Sequence, residues 1–153
     1  QGAKLVGAVP RRTEKVKSPH IQADYHLPLL PGSNVPLINA VSHVAVTENL
    51  SDQNYNDQRC DIESVNDWKE FISLDIHAPE NVEIATGLDV TQIRAAARLY
   101  ATGNNSAIYY GLGVTEHSQG STMVMGMANL AMATGYSGSV GCAVNPLRGQ
   151  INV

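Results

Sequence analysis

Near the end of this 153-residue chain six residues combine the groups a small anion needs: Asn145-Pro146-Leu147-Arg148-Gly149-Gln150. Arg148 offers a planar fork of donors, and Asn145 and Gln150 add both donors and acceptors on a turn stiffened by Pro146 and loosened by Gly149. Arg148 is also the only Lys or Arg after Arg98. It follows a stretch from Gly111 to Gly135 whose only charged side chain is Glu116. An anion or a polar cofactor suits such a loop. From residue types alone, a surface turn with a solvated arginine is the simpler explanation. Other residues with chemical potential are scattered. Cys60 and Cys142 lie far apart with no CxxC or histidine spacing, so they read as thiols in a reducing compartment and form no expected metal site. His117, in Thr115-Glu116-His117, suits a proton relay or a loop-stabilising role; His26, His43 and His77 have no partner spacing and receive no chemistry.

The elements that must position these groups alternate. Lys4 to Val9 reads as a buried strand closed by Pro10, and His26 to Leu30 as an irregular second one. Pro31-Gly32 is a turn, after which Ser33 or Asn34 caps a helix running to near Asn49. Ser51 to Asp61 reads as a polar turn. Ser64 is expected to cap a short helix through Ile72, and Pro79 to start a further helical turn that Gly87 ends. Asp89 caps the clearest helix, Val90 to Ala101. Ala107 to Gly113 reads as a buried strand with a glycine-bracketed end, but Gly111-x-Gly113 does not complete a dinucleotide fingerprint. A nearly uncharged helix from about Gln119 to Thr134 should be buried on most sides. Strands alternating with helices predict an α/β fold, a mostly parallel sheet flanked by helices, with ligands gathered at the carboxyl ends of the strands.

Composition narrows the rest. With 43% apolar and 16% charged residues the chain reads as one globular segment, 1–153. A net charge of −4 gives no support to nucleic acid or membrane-surface partners, and no apolar run reaches the length of a membrane span. A cytoplasmic location is the expectation. Gln1 is not Met and both ends look cut, so the chain is read as an internal fragment of a longer, multidomain subunit.

Tyr109 to Val153, with GVTEHSQGSTMVMG joined to NPLRGQ, resembles the catalytic subunit of molybdenum- or tungsten-dependent formate dehydrogenases, within the molybdopterin oxidoreductase superfamily. The likeness continues upstream through GAKLVGAVPRRTE, the PGSN turn, HVAVTENL and RAAARLYATG, and so covers nearly the whole chain.

The resemblance implies a dinucleotide-binding-like fold and oxidation of formate to CO2 at a bis-molybdopterin guanine dinucleotide centre. It implies two such cofactors with Mo or W, iron–sulfur clusters elsewhere in the protein, and electron-transfer subunits as partners. It makes Arg148 the catalytic, formate-orienting arginine, with Gln150 near a pterin and Asn145 and Gly149 shaping the loop. Gly111, Leu112, Gly113, Thr115 and Glu116 match a loop along a pterin. Pro10 and Arg11, and Gly32, Ser33 and Asn34, match turns beside guanosine ends. Val9, Leu30, Tyr136 and Ile151 depart from the family pattern, and the first two put a guanosine site in question. The metal-ligating Cys or Sec motif has no match in this chain, so the segment alone is expected to be inactive. A nitrate reductase segment, or a cofactor-binding module without catalysis, are the alternatives.

Overall fold

The computed structural model describes residues 2–14 and 16–147. Its centre is a helix. Asn34–Thr47 (α1) carries apolar side chains on two faces and so separates two cores. On one side Leu37 and Ala40 pack with Leu27, Leu29, Val82, Leu88, Ile93 and Ala96. On the other, Ile38 and Ala45 pack with Met123, Met127 and Leu130. A helix buried on both flanks needs apolar residues around most of its circumference, and α1 has them.

Among the described residues four strands form two parallel pairs. Val6–Ala8 (β1) lies beside Tyr25–Leu27 (β2), with Gly7 opposite His26. Ala107–Tyr110 (β3) lies beside Ala143–Pro146 (β4), with Tyr109 opposite Asn145. The parallel α/β arrangement is as the sequence predicts, but among the described residues the strands form two separate pairs rather than one sheet. The strand at the Asn145 loop was not foreseen, because AVNP carries no alternation and ends in proline.

Helices Gln53–Arg59 (α2), Ile62–Ser73 (α3), Pro79–Thr86 (α4), Val90–Ala101 (α5), Leu112–Thr115 (α6) and Gly120–Ala133 (α7), with a short 3-10 turn at Asp75–His77, complete the order among the described residues. The expected polar turn over 51–61 is in fact α2. Asp52 caps it by accepting from the Tyr55 N–H at 2.9 Å, and Asn56, fully buried, donates to the Ala133 carbonyl. Its outer face bonds to itself, Gln53 to Asp57 and Gln58 to Asn54. A helix with almost no apolar side chain leaves no hydrophobic period to read; docking on the end of α7 holds it.

Two expected caps also move. Asp61, not Ser64, caps α3 by accepting from the Ser64 N–H at 2.9 Å. Ser33 occupies the cap position of α1 but turns its hydroxyl back to the Leu30 carbonyl, 2.6 Å away. The predicted strand from Ala107 stops at Tyr110, and Tyr109 is 62% exposed. The last helix is less enclosed than its composition suggests, since Met125 is 58% exposed. The Asp89 cap and the proline start and glycine end of α4 match the sequence reading.

Candidate functional site

The carboxyl ends of both strand pairs meet around α6. After β3 the chain turns at Gly111 into this single helical turn, and the Leu147 N–H donates to the Tyr110 carbonyl at 2.6 Å. Leu147 therefore sits beside Gly111. At the other end of the same segment, Gly113 helps line a pocket of about 340 Å³ with Pro10, Leu29, Leu30, Pro31, Gly32, Asn34, His117, Ser118 and Gln119. Pro10 follows β1 and Leu29 follows β2, so the pocket lies where ligands collect in parallel α/β structures.

Two 14-residue helices start at this pocket, α1 at Asn34 and α7 at Gly120. Neither has a side-chain cap nor an acidic residue in its first turn. Helix starts present unpaired N–H groups and partial positive charge, which favour an anion. The glycines leave room for one. Gly32 takes φ +84, and a Cβ added there, or at Gly113, would meet nothing within 4 Å. The exposed Arg11 and Arg12 follow Pro10 directly and add positive charge beside the pocket.

His117 spans it. Its Nδ1 accepts from the Gln119 N–H at 3.1 Å, and its Nε2 lies 3.1 Å from Asn34 Nδ2. Behind it the chain is folded tightly, because a Cβ on Gly120 would fall 2.3 Å from the Thr115 carbonyl oxygen. The Thr115 hydroxyl is buried there without a hydrogen-bond partner.

Of the residues singled out from sequence, Pro10, Gly32, Asn34 and Gly113 line this pocket together. Ser33 is buried at its back. Gly111 faces the Leu147 carbonyl, 3.7 Å from where its Cβ would be, while Leu112 and Glu116 are exposed on α6 and just after it. Asn145 is half-buried on β4. Arg148, Gly149 and Gln150, and the departing Ile151, lie outside the described residues. His117, Ser118 and Gln119 were not assigned to the site. Their signal was position: they sit between a glycine-bracketed strand end and a helix start.

The other departing residues have structural work. Leu30 lies over Gly87, whose added Cβ would sit 2.9 Å from Leu30 Cγ, and its N–H donates to the Thr86 carbonyl. Tyr136 is buried, packs edge-on to Tyr100 and donates to the Ala101 carbonyl at 3.1 Å. Burial pushes the Tyr100 phenol up to about 12. The carbonyl of Val9 accepts from His26 Nε2–H at 3.0 Å. Among the described residues no three His, Cys, Asp or Glu side chains gather as a metal site, and no helix is long and apolar enough to cross a membrane. Both cysteines are free.

Parallel strands ending in glycine turns and helix starts define an α/β protein. Within that class, the family model described as Molybdopterin oxidoreductase matches residues 2–152, and the chain belongs to that family. It is 40% identical over 152 residues to formate dehydrogenase H of Escherichia coli (strain K12), covering 99% of this chain and 20% of that protein. It is 38% identical to the F420-dependent formate dehydrogenase 2 subunit alpha of Methanococcus maripaludis, covering 99% and 21%. A nitrate reductase of Synechocystis sp. is 27% identical over 150 residues, covering 97% and 20%. Among solved structures, acetylene hydratase from Pelobacter acetylenicus superposes with a TM-score of 0.79 at 25% identity, over 88% of this chain and 17% of that one. The chain thus spans about a fifth of the length of the curated relatives it matches. Membership implies a molybdopterin-type cofactor carrying Mo or W. The pocket fits the phosphate-bearing part of such a group, since its open glycines allow close backbone approach and its two helix starts carry neither a side-chain cap nor an acidic residue.

Proposed function

We propose that this chain is the segment of a formate dehydrogenase catalytic subunit that holds part of a bis-molybdopterin guanine dinucleotide cofactor and supplies the formate-orienting arginine. The observation that carries the reading is the convergence of Pro10, Gly32, Asn34 and Gly113 on one pocket. These residues come from three distant parts of the sequence, and each matches a nucleotide- or pterin-facing position of the resembling family. The 38–40% identity to formate dehydrogenases over the whole chain supports the choice of substrate.

In this reading the uncapped starts of α1 and α7 hold phosphate oxygens through backbone N–H groups, with Gly32 and Asn34 beside the guanosine end. Arg11 contributes charge at the rim. Gly111, Leu112, Thr115, Glu116 and Gln150 run along a pterin, and Asn145 and Gly149 set the course of the loop that bears Arg148. Arg148 receives formate through two parallel N–H···O bonds, which fix the carboxylate plane and aim the C–H bond. As the C–H bond breaks and its electron pair leaves, the bent anion becomes linear, neutral CO2, which the guanidinium fork no longer holds by charge, so the product departs. The metal–pterin group, when bound, supplies the two-electron redox chemistry that takes formate to CO2. Iron–sulfur clusters elsewhere in the full-length protein and electron-transfer subunits carry the electrons onward.

The match to a nitrate reductase favours, more weakly, a related enzyme with another substrate. Turnover assays on the full-length enzyme decide. Formate-dependent dye reduction is expected, and Arg148→Lys should lower kcat/KM for formate by about 10²-fold, the scale seen when one transition-state donor is lost. Unchanged formate kinetics in Arg148→Lys would remove the arginine from the mechanism. Nitrate turnover without formate turnover would replace the substrate.

A further inference from the structure

We propose that His117 is a positioning residue whose imidazole ties the start of α7 to the start of α1 and so sets the shape of the pocket for an anionic nucleotide. This rests on the reading of the pocket given above.

Both ring nitrogens are engaged, and the two contacts fix the tautomer. The Gln119 N–H points at Nδ1 from 3.1 Å, so Nδ1 carries no proton and Nε2 does. Nε2–H then needs an acceptor. Among the described residues the group there is the Asn34 carboxamide, 83 residues away in sequence, whose Nδ2 stands 3.1 Å from Nε2. Two donors cannot meet, so the amide is assigned with its oxygen and nitrogen exchanged and the oxygen facing the ring. A 3.5 Å contact from that amide to the Gly113 carbonyl is too long to compel the opposite orientation. With its oxygen held by His117, Asn34 presents its NH2 group as a donor at the pocket wall.

The bridge has little competition. Among the described residues it is the only side-chain hydrogen bond from 116–119 to α1. The Ser33 hydroxyl is committed to the Leu30 carbonyl, and neither helix has a side-chain cap. Gly120 allows the close approach of Thr115 that folds this loop and sends the imidazole across to α1. His117, Asn34 and Gln119 all line the pocket, so a change in the bridge is a change in the pocket wall.

Glutamine and asparagine separate the two arms of the ring. In His117→Gln the carboxamide reaches the Nε2 position and keeps a donor for Asn34. In His117→Asn it reaches only the Nδ1 position and keeps an acceptor for the Gln119 N–H. The test uses the full-length protein produced without cofactor, GDP as the probe in calorimetric titration, azido-GDP photolabelling to locate it, and Tm for each variant. Labelling is expected within residues 29–34 and 113–119. His117→Gln should bind GDP within about threefold of the parent, and His117→Asn about tenfold more weakly with Tm unchanged, the effect of one lost hydrogen bond. In an Asn34→Ala background His117→Asn should cost nothing further.

Parent-like binding by His117→Asn overturns the proposal, as does equal weakening by Gln and Asn, or weakening that tracks a fall in Tm. If the parent binds no GDP or is labelled only elsewhere, the reading of the pocket fails and the positioning role fails with it.

Discussion

Single atoms decide several features of this molecule. A methyl group at Gly120 would place carbon 2.3 Å from the Thr115 carbonyl oxygen, a backbone atom that no side-chain rotation relieves. Gly120→Ala should therefore destabilise the chain by about 2 kcal/mol or more, read as a lower denaturant midpoint. Gly126 is tight too: the same addition meets Ile38 Cγ2 at 2.9 Å, a methyl on the β-carbon of a buried, branched side chain with little freedom to turn away. His77 illustrates a cost of burial. Its Nε2 is buried without a partner and its ring lies 4.6 Å from that of Phe71. Burial first, and His43 second, holds its pKa below the ordinary 6.5. A folded-state value below the unfolded one means the unfolded chain binds the proton more readily. Stability is then full above about pH 6.5 and falls as pH drops through the lowered value. Urea midpoints at pH 7.5 and 5.5 should differ less in His77→Leu than in the parent; an equal difference would remove His77 as the cause.

At the scale of elements, α1 holds the others together, and its end is fastened by charge. Glu48, just past α1, accepts from Arg98 at 2.7 Å and from Arg94 at 3.2 Å, while Arg94 also reaches Glu80 on α4 at 2.8 Å. Arg98 first, then the nearby Arg94, holds the Glu48 carboxyl below its usual value. This contribution is present above the ordinary carboxylate range and is lost as pH falls through the lowered value. The groups are partly exposed, so the network is worth little despite its geometry. Glu48→Gln is expected to cost at most about 1 kcal/mol, and molar salt should erase most of the difference from the parent. A loss that persists at high salt would point to packing instead of charge.

For the whole molecule, the proportion to its relatives is the governing fact. The chain covers about a fifth of them, and no metal-ligating group gathers among its described residues. The purified 153-residue chain, even when supplied with the metal cofactor, is expected to show no formate-dependent dye reduction; turnover by it would overturn the view that the site is completed by further chain. The pocket nevertheless exists in this segment, because the residues that shape it are anchored at the starts of two helices and the ends of three strands that pack on one another here.

Sequence and tertiary structure determine different parts of this description. The alternation of elements, the Asp89 cap, the Pro79 start and the Gly87 end follow from local rules, since a cap or a left-handed turn is decided within a few residues. The family was legible too, because GVTEHSQG and NPLRGQ together are specific. Helix α2 was hidden because its stability comes from docking on α7 and not from its own pattern. The division into two strand pairs was hidden because pairing joins residues such as Tyr109 and Asn145, far apart in sequence. His117 shows the difference most sharply. Its neighbours in sequence suggested a relay or a loop contact, whereas its partner Asn34 stands 83 residues away. Only the packing of α7 against α1 brings the two within hydrogen-bonding distance, and that distance depends on the fold as a whole.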